Sequence, residues 1–304
     1  MATIGRHHGV VRNDDMFEGA YTAMITPLRD GQVDTDRLIA NVRFQISSGI
    51  TGLVPVGTTG ESPTLSHEEH GKVIATVVKA AEGKVKVIAG TGSNATSEAL
   101  QLTKHAKEVG ADAALMVNPY YNKPTQEGLY RHFMTVADGV GLPICLYNIP
   151  GRTGITMSAA TVARLYKHPA IVAIKEATGS MDMASEIAGL CDIPILSGDD
   201  SLTLPLMALG GKGVISVVSN LLPGRVCALV KAGLAGDYAA ARKIHFELLP
   251  LFKAAFVETN PVPIKIAMQQ AGLDTGELRL PLCEMEPANQ EILLNVLKQM
   301  KIIP

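Results

Sequence analysis

"AIVAIKEATG", residues 170–179, is the stretch from which the fold can be read. Five of its first six positions are apolar, the pattern of a strand buried on both faces. The run then ends on a lysine, Lys175, where the chain should be leaving the core. Outward from it, over about the first 235 residues, one unit recurs: a short apolar run, a loop of Gly, Pro, Asn, Thr or Asp, then an amphipathic helical stretch. The other runs are "AYTAMI" from Ala20, "GLVPV" from Gly52, "VKVIA" from Val85, "AALMV" from Ala113, "PICLY" from Pro143, "IPIL" from Ile193 and "GVISVV" from Gly213. Each precedes a helix candidate, such as "SHEEHGKVIATVVKAA", with Ser66 as N-cap and Glu69 in the capping-box position three residues on.

Strands buried on both faces and alternating with helices demand a parallel sheet, because every crossover returns the chain to the same end. Eight units at a spacing of about thirty residues predict an α/β chain closed into a (β/α)8 TIM barrel. From residue 236 onward only helical periodicity remains, in "DYAAARKIHFELLPLFKAAF", "PVPIKIAMQQAG" and "NQEILLNVLKQM". The expected division is an N-terminal extension over residues 1–15, a barrel over 16–235 and a small C-terminal helical domain over 236–304. No low-complexity linker separates the last two, so the helices are expected to pack on the barrel.

Composition narrows the function. Hydrophobic residues at 47% and charged ones at 18% exclude disorder, and a formal charge of -2 without a basic block leaves no footprint for nucleic acid. No apolar run approaches the roughly 20 residues that span a bilayer. The first residues, "MATIGRHHGVVRNDD", lack the apolar segment of a secretory signal. Small molecules or copies of the chain are the expected partners, and the cytoplasm the expected compartment. Cys145, Cys191, Cys227 and Cys283 stand singly with no CxxC spacing, as reduced packing residues do. "HEEH", with His67 and His70, is not HExxH and brings no identifiable further ligands, so no metal is expected.

In such a barrel, chemistry belongs to the C-terminal ends of the strands and the loops beyond them. There the sequence places "GTTGES", "GTGSN", "NPYYNKP", "YNIPGRTG", Lys175-Glu176 and "SGDD". Lys175 has two readings: a surface lysine snorkelling past the strand end and paired with Glu176, or a Schiff-base lysine. An amine sheltered in a barrel loses part of its preference for the charged form and turns nucleophilic toward carbonyls. The neighbours decide between them. Tyr147 ends the preceding strand, where its phenol can reach toward the lysine, and Thr59 and Tyr121 can extend a proton relay from it. The hydroxyls and backbone N–H groups of "GTTGES" suit a carboxylate, whereas a P-loop would need a lysine that is missing. "IAGTGSNA" with Asp112 resembles a dinucleotide loop, but its unit is third in the chain instead of first and is one of eight similar ones. Arg152 in "PGRTG" is either a solvated arginine or, if the barrel binds acids, a bidentate anchor for a second carboxylate.

"GTTGE", "YNIPGRTG" and "IKEATG", in this order and spacing and with "NPYYNKP", "SGDD" and "GVISV", resemble the dihydrodipicolinate synthase/N-acetylneuraminate lyase family of class I pyruvate aldolases. The resemblance runs from about Gly19 to the C-terminus, and the arginine and paired tyrosines resemble its synthase branch more than its sugar-acid lyases. It implies that Lys175 condenses with pyruvate and that the enamine attacks L-aspartate 4-semialdehyde, on the route to diaminopimelate and lysine. Tyr147 would relay protons with Thr59 and Tyr121, the latter reaching a neighbouring subunit's site. Thr58 and Thr59 would hold the pyruvate carboxylate and Arg152 the aldehyde's carboxylate, with the backbone of Gly198 and Ile215 lining the pocket. No metal or organic cofactor is implied. The resemblance further implies a homotetramer, a dimer of dimers, and L-lysine inhibition through Ser62, His67, His70, Asn94, Glu98 and Tyr120, although Pro63 replaces the alanine common there. The alternatives are a retro-aldol lyase of sugar acids (N-acetylneuraminate or 2-keto-3-deoxygluconate) on the same scaffold and a non-catalytic homologue. Lys175, Tyr147 and Thr59 together argue against the last.

Overall fold

Eight parallel strands close into a barrel in the computed structural model, which describes residues 17–304. They are β1 (Gly19–Ala23), β2 (Gly52–Val54), β3 (Lys86–Gly90), β4 (Ala113–Val117), β5 (Ile144–Asn148), β6 (Ile171–Glu176), β7 (Ile195–Ser197) and β8 (Gly213–Ser216). The extension expected over residues 1–15 lies outside the described residues. Each strand pairs with its sequence neighbours, and β1 closes the ring by pairing with both β2 and β8. The closing seam is built on glycine. Gly213 has φ 142°, and a Cβ there would stand 1.9 Å from the carbonyl oxygen of Gly19, a contact no side chain survives.

Helices α1 (Thr35–Ser47), α2 (His67–Ala81), α3 (Thr96–Glu108), α4 (Gln126–Val140), α5 (Pro150–Thr153, a single turn), α6 (Ala159–Leu165), α7 (Met181–Leu190), α8 (Thr203–Ala208) and α9 (Pro223–Leu234) fill the crossovers and the return after β8. α2 starts on the capping box read from the sequence: Ser66 Oγ accepts from the Glu69 N–H while Glu69 returns to the Ser66 N–H. Three helices follow, α10 (Tyr238–Ala254), α11 (Val262–Gln270) and α12 (Pro287–Gln299). Their buried residues, among them Leu248, Phe252, Ile264 and Leu293, belong to the same apolar cluster as the outer faces of the strands.

Period-two alternation sorts the strand residues into an outside and an inside. Leu146 and Ile174 face the helices. Tyr21, Ile88, Cys145, Tyr147, Ala173, Leu196 and Ile215 fill the barrel interior. Strand ends depart from the sequence reading where proline intervenes. β2 stops before Pro55, β5 starts after Pro143 and β7 after Pro194, because proline has no N–H for the ladder.

Candidate active site

Lys175 sits on β6 two residues beyond Ala173, so it points to the same face, into the barrel. It is 5% exposed, and register places it beside Tyr147 of β5 and Leu196 of β7. Its Nζ lies 4.3 Å from the centroid of the Tyr147 ring, within cation–π range. This removes the surface-lysine reading: the side chain does not snorkel to solvent. The same alternation sends Glu176 to the other face, where it accepts from the Thr178 N–H at 2.7 Å and from Asn148 Nδ2 at 3.3 Å instead of pairing with Lys175.

Space for the lysine comes from Gly198. A Cβ there would lie 3.0 Å from Lys175 Cε and 2.5 Å from Ala177 Cβ, and the Gly198 N–H is tied to the Glu176 carbonyl at 2.7 Å. Ile215 is fully buried inside the barrel, its backbone paired with Tyr21. Two carboxylates of "SGDD" complete the charge around the lysine. Burial pushes Asp199 and Asp200 up from the usual carboxylate range, and the Lys175 charge opposes the shift. Asp200 has a structural share as well, accepting from Ser216 Oγ at 2.5 Å and the Val217 N–H at 2.9 Å, which fixes the end of β8.

The loop after β2 holds Thr58 and Thr59 in a tight turn, with Val56 at φ 50° and Glu61 at φ 54° in the left-handed region. A β-branched residue there carries real backbone strain. Thr59 is buried, and its Oγ1 accepts a hydrogen bond from Asn260 Nδ2 at 3.0 Å. Arg152, on α5 at the rim, donates from Nη2 to the Asn260 carbonyl at 2.9 Å. Asn260, in the segment between α10 and α11, therefore touches two site candidates, and the sequence reading missed it. An Asn-Pro turn is all that its neighbourhood announces.

A cavity of about 820 Å³ opens over this floor. Thr58, Tyr147, Arg152 and Tyr121 line it, whereas Lys175, Thr59, Gly198 and Ile215 lie outside its lining, Lys175 meeting it through the Tyr147 ring. Tyr121 stands at φ 73° and is 89% exposed, projecting from the rim. The cavity continues to Ser62, His67, His70, Glu98 and Tyr120, and Asn94 does not line it. His67 Nε2 meets Glu98 Oε1 at 2.6 Å, and Ser93 donates to the other carboxylate oxygen. The Ser93 hydrogen bond, then His67, holds Glu98 below its usual value. Burial first, then the charges of His67 and His105, lowers His70 to about 4, so its ring is neutral at physiological pH.

Two features read and set aside from the sequence have plain explanations. Asp112 lies at the opposite end of the barrel, where it accepts from Lys86 Nζ at 2.8 Å and the Val87 N–H at 2.9 Å. Ser93 of "GTGSN" serves its own loop and Glu98. Among the described residues no group of three or more His, Cys, Asp or Glu is placed to hold a metal ion, and no helix is long and apolar enough to cross a membrane.

A closed (β/α)8 barrel with a lysine buried inside its mouth against a tyrosine is the architecture of a class I, Schiff-base-forming aldolase, a lyase. The chain belongs to the Dihydrodipicolinate synthetase family, whose model matches residues 16–300. It is 54% identical over 290 residues to the 4-hydroxy-tetrahydrodipicolinate synthase of Geotalea daltonii, covering 95% of this chain and 100% of that one. A crystal structure of dihydrodipicolinate synthase from Aquifex aeolicus superposes with a TM-score of 0.93 at 53% identity, over 94% of this chain and 99% of that one. The enzyme of Cyanidioschyzon merolae with lysine bound gives 0.92 at 38% identity, over 95% and 99%. These relatives carry the synthase name and not that of the sugar-acid lyases.

Proposed function

We propose that this chain condenses pyruvate with L-aspartate 4-semialdehyde to 4-hydroxy-tetrahydrodipicolinate, on the route to diaminopimelate and lysine. The observation that carries this reading is the buried Lys175 Nζ set 4.3 Å from the Tyr147 ring inside the barrel mouth. The lysine amine attacks the ketone carbon of pyruvate, and the carbinolamine loses water to an iminium. That iminium accepts the electron pair left when the methyl group gives up a proton, forming an enamine. The enamine carbon bonds to the aldehyde carbon, and attack of the substrate's own amine on the iminium closes the ring and frees Lys175.

Tyr147 moves the protons of these steps, and Thr59 supports it: an oxygen that accepts from Asn260 still has its own proton to give. Tyr121, so exposed at the rim, completes the relay in a neighbouring subunit. Thr58 and Thr59 hold the pyruvate carboxylate, Arg152 binds the aldehyde's carboxylate, and the backbone of Gly198 and Ile215 lines the pocket. The working form is a homotetramer in the cytoplasm, with catalysis in residues 16–235 and the helices of residues 236–304 supporting it. Ser62, His67, His70, Asn94, Glu98 and Tyr120 form a second site for L-lysine, supported by the cavity that most of them share.

The test is turnover of the purified chain on pyruvate plus L-aspartate 4-semialdehyde beside N-acetylneuraminate and 2-keto-3-deoxygluconate, with added L-lysine as a separate arm. Preference for the semialdehyde and a falling rate with lysine are expected. Preference for a sugar acid contradicts the acceptor, and a flat response to millimolar lysine removes the second site alone.

A further inference from the structure

The strained loop after β2 is gripped from the C-terminal helices at two points two residues apart. Thr59 Oγ1 accepts from Asn260 Nδ2 at 3.0 Å. Glu61 Oε1 pairs at 2.6 Å with Lys265 of α11, and both side chains are almost wholly buried. Lys265 lies in the first turn of α11, its N–H bonded to the Pro261 carbonyl, so the ion pair fixes the start of the helix from which Asn260 extends. The Lys265 ammonium also meets the Thr26 carbonyl at 3.1 Å. Asn260 is 5% exposed, and its Oδ1 is buried without a hydrogen-bond partner among the described residues. An amide with an unsatisfied oxygen is a poor choice for filling space, because the orphaned acceptor is desolvated for no return. Its position is better explained by what the rest of the residue holds.

Resting on the function proposed above, we infer that Asn260 is a positioning residue: its amide donates to Thr59 Oγ1, turning the threonine proton toward Tyr147, while its backbone carbonyl steers the Arg152 guanidinium. One residue outside the barrel thus sets the direction of the proton relay and the place of the carboxylate anchor.

Asn260→Asp separates this role from packing, since the shape is kept while the donor becomes an acceptor that draws the threonine proton away from Tyr147. Expected is a loss of kcat of about 10- to 100-fold. KM for the aldehyde stays near that of the unmodified protein, because the group that meets Arg152 is backbone. Borohydride with pyruvate still modifies Lys175 in the variant, which shows it folded with the first covalent step intact. Unchanged kcat in a variant that traps pyruvate overturns the inference, and means either that the amide is turned the other way or that it only fills space. Should Asn260→Asp fail to fold, Asn260→Ser, which keeps a donor, is expected to retain more turnover than Asn260→Ala, and equal losses overturn the inference. Failure of the unmodified chain to trap pyruvate is a different result, which sinks the proposed function itself.

Discussion

At the scale of single residues the site depends on a choice between two faces of a strand. Ala173 and Lys175 point inward and Ile174 and Glu176 outward, so an amine enters the barrel interior beside Tyr147 and Leu196. Gly198 makes the room. Its replacement by alanine puts a methyl 3.0 Å from Lys175 Cε and 2.5 Å from Ala177 Cβ, and overpacking of this kind costs about 1–3 kcal/mol. Gly198→Ala is therefore expected to lower Tm modestly and to cut the rate of pyruvate trapping on Lys175 by an order of magnitude or more. Stopped borohydride reductions over a time course read it, and a trapping rate equal to the parent's would show that the glycine does not govern the lysine. The places of Lys175, Tyr147 and Thr59 in the fold were legible in the sequence, because the first two lie near strand ends and Thr59 in the loop after one. Asn260 was not, because its partner Thr59 lies 201 residues away and no local pattern reports such a return.

At the scale of elements, the C-terminal helices act on the barrel through buried charge. The Glu61–Lys265 pair survives burial because Glu61 also accepts from the Arg279 N–H at 3.3 Å and Lys265 donates to Thr26, leaving little of either charge unmatched. Asp274, after α11, is less well served. Burial raises it to about 6, against the opposing charge of Lys265, and its Oδ1 has no partner among the described residues. Because its folded pKa exceeds the unfolded one, the native state holds this proton more tightly. Its contribution is present below the unfolded value and lost as pH rises through about 6. Asp274→Asn is expected to remove that loss, raising unfolding free energy at about pH 8 by about 3 kcal/mol and removing the fall in stability that this group contributes between about pH 4 and 6. Denaturant titrations across that range check it. A variant no more stable than the parent above neutral pH would mean that the carboxylate is compensated.

At the scale of the whole molecule, eight apolar runs at a regular interval made the barrel legible, since only closure gives every strand two neighbours. The capping box of α2 was legible too, being local. What the repeat could not convey is the seam, where Gly213 is required by the approach of the Gly19 backbone from a strand far away in sequence, and the reach of the last helices to the mouth. The same limit applied to the cavity, in which residues from the loops after β2 to β5 meet around one volume. That volume matters only if the amine beneath it reacts. Reduction of the intact protein with borohydride in the presence of pyruvate, followed by peptide mapping, tests this most directly. The expected result is one pyruvyl adduct per chain, carried by Lys175 and absent from Lys175→Ala; an adduct on another lysine, or full turnover by Lys175→Ala, would contradict it.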